Sequence, residues 1–62
     1  MSKRYEIPVY FNGEYFSNLV YRKSATRDQL IEDARKMMEG INIVNIYVSL
    51  DEFRHLAVFV RG

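Results

Sequence analysis

Asp51, Glu52 and His55 have the types and spacing from which a metal site or an acid–base pair could be built. Two carboxylates and an imidazole in so short a stretch could hold a cation or relay a proton. Such chemistry also needs groups that orient each ligand, and the neighbouring sequence supplies none. A solvated hairpin turn uses the same residue types, so the three are assigned to a turn. Ser17, Ser24 and Ser49 have no base at a suggestive spacing. Gly13, Gly40 and Gly62 are accounted for by a turn, a helix end and a strand end, which leaves no phosphate-cradling loop. His55 is the single histidine and there is no cysteine, so thiolate metal sites and disulfides are excluded. No catalytic residue, metal or cofactor is expected, and the chain reads as a non-enzyme.

The residues left to recognise something are aromatic and basic. Alternation along the strands described below places Tyr10, Tyr15, Leu19, Tyr21, Ile43, Tyr47 and Phe59 on one outward sheet face, with Arg4, Arg22 and Arg61 at its margins. Tyrosine favours strands, and a cross-strand pair such as Tyr10–Tyr15 stabilises a solvated sheet by roughly 0.2–1 kcal/mol. The number of large groups exceeds what sheet stability alone needs, and a contiguous apolar patch of this kind marks an interaction surface. Tyr and Phe with peripheral Arg are favoured anchors of protein interfaces, so a protein partner or self-association into a homo-oligomer is expected. The alternative is a nucleic-acid-binding domain, with bases stacked on the tyrosines and phosphates held by Arg4, Arg22, Lys23 and Arg61.

A short chain must position these groups. Sixty-two residues make one domain, and a domain of about this size buries only about 60% of its unfolded surface. The formal charge of +1 excludes a strongly electrostatic polyanion binder. It hides an asymmetry: residues 1–27 carry five basic side chains against two acidic ones, and residues 28–62 carry four against six. No apolar run approaches a membrane span and the N-terminus lacks a signal peptide's apolar core, so a cytoplasmic product without membrane contact is expected.

One helix is predicted, over Thr26 to Gly40. Thr26 and Gln29 have the spacing of a capping box. Leu30, Ile31, Ala34, Met37, Met38 and Ile41 share one face at 3.6 residues per turn, with Met37 and Met38 read as core fillers. Glu32 and Lys36 pair on the other face. Gly40 takes the left-handed position that ends the helix.

A β-hairpin is predicted on each side. Arg4 to Tyr21 folds back at Asn12-Gly13, the strongest short signal for a type I′ turn. A two-residue loop pairs positions summing to 25, from Phe11–Glu14 and Tyr10–Tyr15 through Val9–Phe16, Ile7–Asn18 and Tyr5–Val20 to Arg4–Tyr21. Tyr5, Ile7, Val9, Phe11, Phe16 and Val20 then face the helix. Lys3, Arg4, Arg22, Lys23 and Arg27 gather at the open end. Asn42 to Leu50 turns at Asp51 to Arg54 into His55 to Arg61, with Val44, Ile46, Val48, Leu50, Leu56, Val58 and Val60 inward. Asn42 to Leu50 carries neither charge nor proline, so as an edge it would invite strand addition.

The fold class is therefore α+β, a ββαββ chain with one helix on one face of a four-stranded sheet. This order, over the whole chain, resembles the β-grasp family, which includes ubiquitin-like folds and bacterial immunoglobulin-binding domains. The resemblance implies strand order 2-1-4-3. Pro8 opposes it, because a central first strand would lose a ladder hydrogen bond there. Gly62 follows the last strand without a di-glycine tail, so conjugation of the ubiquitin type is not expected.

Overall fold

A computed structural model describes residues 4–62. In it Asn12 and Gly13 have φ of 52° and 86°, the left-handed pair that a type I′ turn requires. They join β1 (Tyr5–Phe11) to β2 (Glu14–Tyr21); α1 (Arg27–Met37) follows, then β3 (Asn45–Leu50) and β4 (Leu56–Arg61). The strand order is β2-β1-β4-β3, with β1 and β4 parallel in the middle and an antiparallel hairpin on either side. α1 covers one face, and the shortest dimension of the molecule, 17 Å, is that of two layers.

Pro8 is reconciled with a central β1 by where the parallel pairing begins. β1 meets β4 only at Val9↔Val58, Tyr10↔Phe59 and Phe11↔Val60. Pro8 therefore lies one residue before the ladder that its missing N–H would interrupt.

The first hairpin departs from the simple register. Phe11↔Glu14 and Tyr10↔Tyr15 pair as the turn dictates, but a β-bulge follows, and the next partners are Val9↔Ser17, Pro8↔Asn18, Ile7↔Leu19, Glu6↔Val20 and Tyr5↔Tyr21. Phe16 is the extra residue. One inserted position reverses the faces of everything beyond it. Leu19 becomes core at 7% exposed and Tyr21 packs against it, whereas Phe16 and Val20 are exposed, Val20 at 54%. The expectation that Leu19 and Tyr21 face away from the helix is thus overturned, as is the inward placement of Phe16 and Val20. The unbulged register would have put Asn18 inside, where an unpaired amide costs about 1–3 kcal/mol; the bulge leaves Asn18 exposed.

Val9, Leu19, Leu30, Ala34, Met38, Val48, Val58 and Val60 form the core, with Ile7, Phe11, Ile31, Met37, Ile43 and Ile46 packed around it. Thr26 caps α1, its hydroxyl accepting from the Gln29 N–H at 3.2 Å. No return bond from the Thr26 N–H to the Gln29 side-chain oxygen is formed, and Gln29 Nε2 donates to Asp33 Oδ1 at 3.0 Å. Gly40 has φ of 90° as expected, two residues beyond the Met38 cap. β3 starts at Asn45, three residues later than predicted. Ile43 therefore lies in the loop before β3 and packs on the core, and Val44 is exposed. Leu50 and Leu56, the pair next to the second turn and expected inward, remain about half exposed.

Candidate functional site

On the face opposite α1 each strand contributes one aromatic side chain, and the registers put the four in a single line. Tyr15 on β2 faces Tyr10 on β1, Tyr10 faces Phe59 on β4, and Phe59 faces Tyr47 on β3. Alternation fixes the face, since odd positions of β1 near the turn and even positions of β4 enter the core. The rings touch in sequence. Tyr10 and Phe59 stack with centroids 5.3 Å apart and planes 13° from parallel. Tyr47 and Phe59 stack at 5.5 Å and 20°. Tyr15 meets Tyr10 edge-on at 6.1 Å and 74°. Such pairs stabilise by about 0.5–1.5 kcal/mol each beyond their buried area.

Phe59, in the middle, has a ring on either side and is half-buried, while the end rings stay open, Tyr15 at 59% and Tyr47 at 41% exposed. The result is a ridge of upright rings with solvent at both ends. Val20 and Phe16, moved by the bulge, add exposed apolar surface on β2, and Phe53 adds more at the second turn. Phe16 and Val20 are expected from sequence to face the helix, and Phe53 is expected only as part of the turn. Only Asn18, a polar residue on a nominally inward position, hinted at the bulge.

Of the residues expected to line a binding face, the structure unites Tyr10, Tyr15, Tyr47 and Phe59, with Arg61 beside them. Arg61 pairs with Asn45 two positions from Phe59, and borders a hollow of about 500 Å³ with Asn12, Tyr47, Phe59 and Gly62. Leu19, Tyr21 and Ile43 do not belong to this face; they pack on the helix side. Arg4 and Arg22 flank the open end of the first hairpin, six residues or about 20 Å along the strand from Tyr10 in the case of Arg4. Lys3, expected in the same basic group, lies outside the described residues.

Tyr21 has a different task. Its hydroxyl donates to Asp33 Oδ2 at 2.6 Å, tying β2 to the helix. Burial, then the Asp33 hydrogen bond and charge, hold the phenol well above the ordinary tyrosine range. The Tyr21 and Gln29 hydrogen bonds hold the Asp33 carboxyl below its usual value.

Asp51 and Glu52 lie in the second turn as read from sequence, and His55, expected to open the last strand, precedes β4 by one residue. Asp51 Oδ1 accepts from the Phe53 and His55 backbone N–H groups at 2.8 and 2.9 Å, so its carboxylate is a turn cap. Among the described residues no group of three His, Asp or Glu side chains is placed to hold a metal ion, and no helix is long and apolar enough to cross a membrane. Comparison with known proteins finds no matching family model, curated protein or solved structure.

Proposed function

We propose that this protein is a non-enzymatic protein-binding module, an inhibitor, adaptor or self-associating protein, that docks through the aromatic ridge of its uncovered sheet face. The carrying observation is the line Tyr15–Tyr10–Phe59–Tyr47, one ring per strand, left uncovered by the single helix. Rigid aromatic side chains give large contact area at low entropic cost, because neighbouring rings already fix their rotamers. Arg61 at the rim matches the composition of such anchors.

Two features disfavour single-stranded nucleic acid. A base stacks on an open ring face, and both faces of Phe59 are occupied by Tyr10 and Tyr47. Of the basic residues considered for phosphate contacts, Arg61 alone adjoins the ridge; Arg4, Arg22 and Lys23 sit at the other end of the first hairpin.

The test is capture of partners from the native host lysate by the wild type and by Tyr10→Ser/Tyr15→Ser/Tyr47→Ser, with sedimentation velocity for self-association. Circular dichroism checks that the variant folds, and the milder Tyr15→Ser/Tyr47→Ser pair serves if it does not. Loss of a specific complex supports the reading. Equal capture of every partner by the folded variant removes the ridge from consideration, and salt-sensitive binding of an oligonucleotide would favour the alternative.

A further inference from the structure

The outer edge of β3 carries its own recognition chemistry. Asp51 N–H donates to the His55 carbonyl at 2.8 Å, which makes 51/55 a hydrogen-bonded pair. In an antiparallel ladder such pairs alternate with pairs whose main-chain groups point away. The registers Leu50↔Leu56, Val48↔Val58 and Ile46↔Val60 therefore turn the N–H and C=O groups of Ile46, Val48 and Leu50 toward the open edge. The strand has no charge and no proline to discourage pairing. One of those groups is engaged: Arg27 Nη2 donates to the Val48 carbonyl at 3.3 Å.

Arg27, Ile31 and Arg35 follow at i, i+4 and i+8 along α1. Arg27 reaches the edge at Val48, and Arg35 borders a hollow with Met38, Ile41 and Ile43, just before β3 begins. Among the described residues the one ion pair joins Glu32 and Lys36, so neither arginine has a carboxylate partner. Between them lie the half-buried Ile31 and Ile46, with Leu50 exposed at one end. At 1.5 Å per residue the two arginine positions are about 12 Å apart along the helix. Alternate side chains on one face of an extended chain recur at about 6.7 Å, so positions four apart span about 13 Å.

We propose that this edge receives an extended acidic segment of a partner protein, paired with β3, with two carboxylates four positions apart meeting Arg27 and Arg35 and an apolar residue midway over Ile31. A carboxylate draws the Arg27 guanidinium more strongly than a backbone carbonyl does, which frees the Val48 carbonyl for the incoming strand. A second copy is a poor occupant, because β3 brings no acid and symmetric pairing about Val48 would set the two Arg27 side chains against each other. The inference shares with the ridge the premise of a protein partner but uses a different surface.

The probe is a seven-residue peptide with glutamates at its second and sixth positions, valine at the fourth and threonines elsewhere, titrated into the full chain and followed through amide NMR signals. We expect shifts at Ile46, Val48 and Leu50, affinity at least tenfold above that of the lysine counterpart, and about a tenfold loss with Arg27→Gln/Arg35→Gln. N-methylation at alternate residues on the pairing edge should abolish binding. Absence of shifts up to millimolar peptide, equal affinity of the two peptides, equal affinity of the N-methylated peptide, or shifts confined to the ridge each overturns the edge site. A Tyr15→Ser/Tyr47→Ser variant that loses its partner while the peptide fails leaves the ridge standing, and the converse result leaves the edge.

Discussion

Tyr10 and Phe59 face each other across the central parallel pair and stack at 5.3 Å, joining the two hairpins on the side that α1 does not cover. The contact has two structural consequences. It reinforces the shortest ladder of the sheet, three residue pairs long, and it holds upright the middle of a ridge whose ends are open to solvent.

The bulge at Phe16 makes a sharp demand on two adjacent residues. Leu19→Ala should cost about 2–3 kcal/mol, as a large-to-small change in a packed core does, while Val20→Ala should cost about 0.5 kcal/mol or less. Urea denaturation with a common slope measures both. The opposite ranking would restore the unbulged register and put Leu19 back on the outer face.

The Tyr21–Asp33 hydrogen bond predicts a stability loss at both ends of the pH scale. Asp33 is depressed when folded, so its contribution is complete above the ordinary carboxylate range near 4 and fades as pH falls through the lower folded value. Tyr21 is raised when folded, so its contribution is complete below about pH 10 and is lost as pH climbs above it. Tyr21→Phe should cost about 1 kcal/mol at neutral pH, below the usual range for a charged partner because the pair is partly open to water. It should also flatten the acid limb in thermal melts. A variant with an unchanged acid limb would show that Asp33 gains nothing from the bond.

Arg54 sits at φ of 62°, in a turn closed by Arg54 N–H to the Asp51 carbonyl at 3.0 Å. A side chain pays roughly 1–2 kcal/mol there that glycine avoids. Against the greater chain entropy of glycine, Arg54→Gly should stabilise by about 0.5–1 kcal/mol. A fall in the melting temperature would show that the Arg54 side chain makes a compensating contact.

The elements were legible in the sequence because each had a local signal. Thr26 and the spacing of Leu30, Ala34 and Met38 marked the helix; Asn12-Gly13 marked the hairpin. The strand order was only implied by the resemblance to the β-grasp family, and the obstacle at Pro8 dissolved once the parallel ladder proved to start at Val9. The register of β2 was not legible. Phe16, Asn18 and Val20 offer about as much apolar surface as Ser17, Leu19 and Tyr21, so alternation alone could not choose a face. Packing of Leu19 in the core, the reach of Tyr21 to Asp33 and the cost of burying Asn18 decided it. Four of the seven outward apolar residues survive because Tyr10 and Tyr15 precede the bulge and Tyr47 and Phe59 lie on the regular hairpin. Ile43 failed for a separate reason, since the chain enters β3 only at Asn45.

Photo-crosslinking tests the ridge most directly. A benzophenone side chain would replace Tyr15 or Tyr47 at the ends of the ridge, or Glu32 or Lys36 on the solvent side of α1, in otherwise unaltered protein within the native host. Adducts to one and the same protein from Tyr15 and Tyr47, and none from Glu32 or Lys36, are the predicted result. Adducts from the helix positions alone, or from none of the four, would contradict a binding role for the aromatic face.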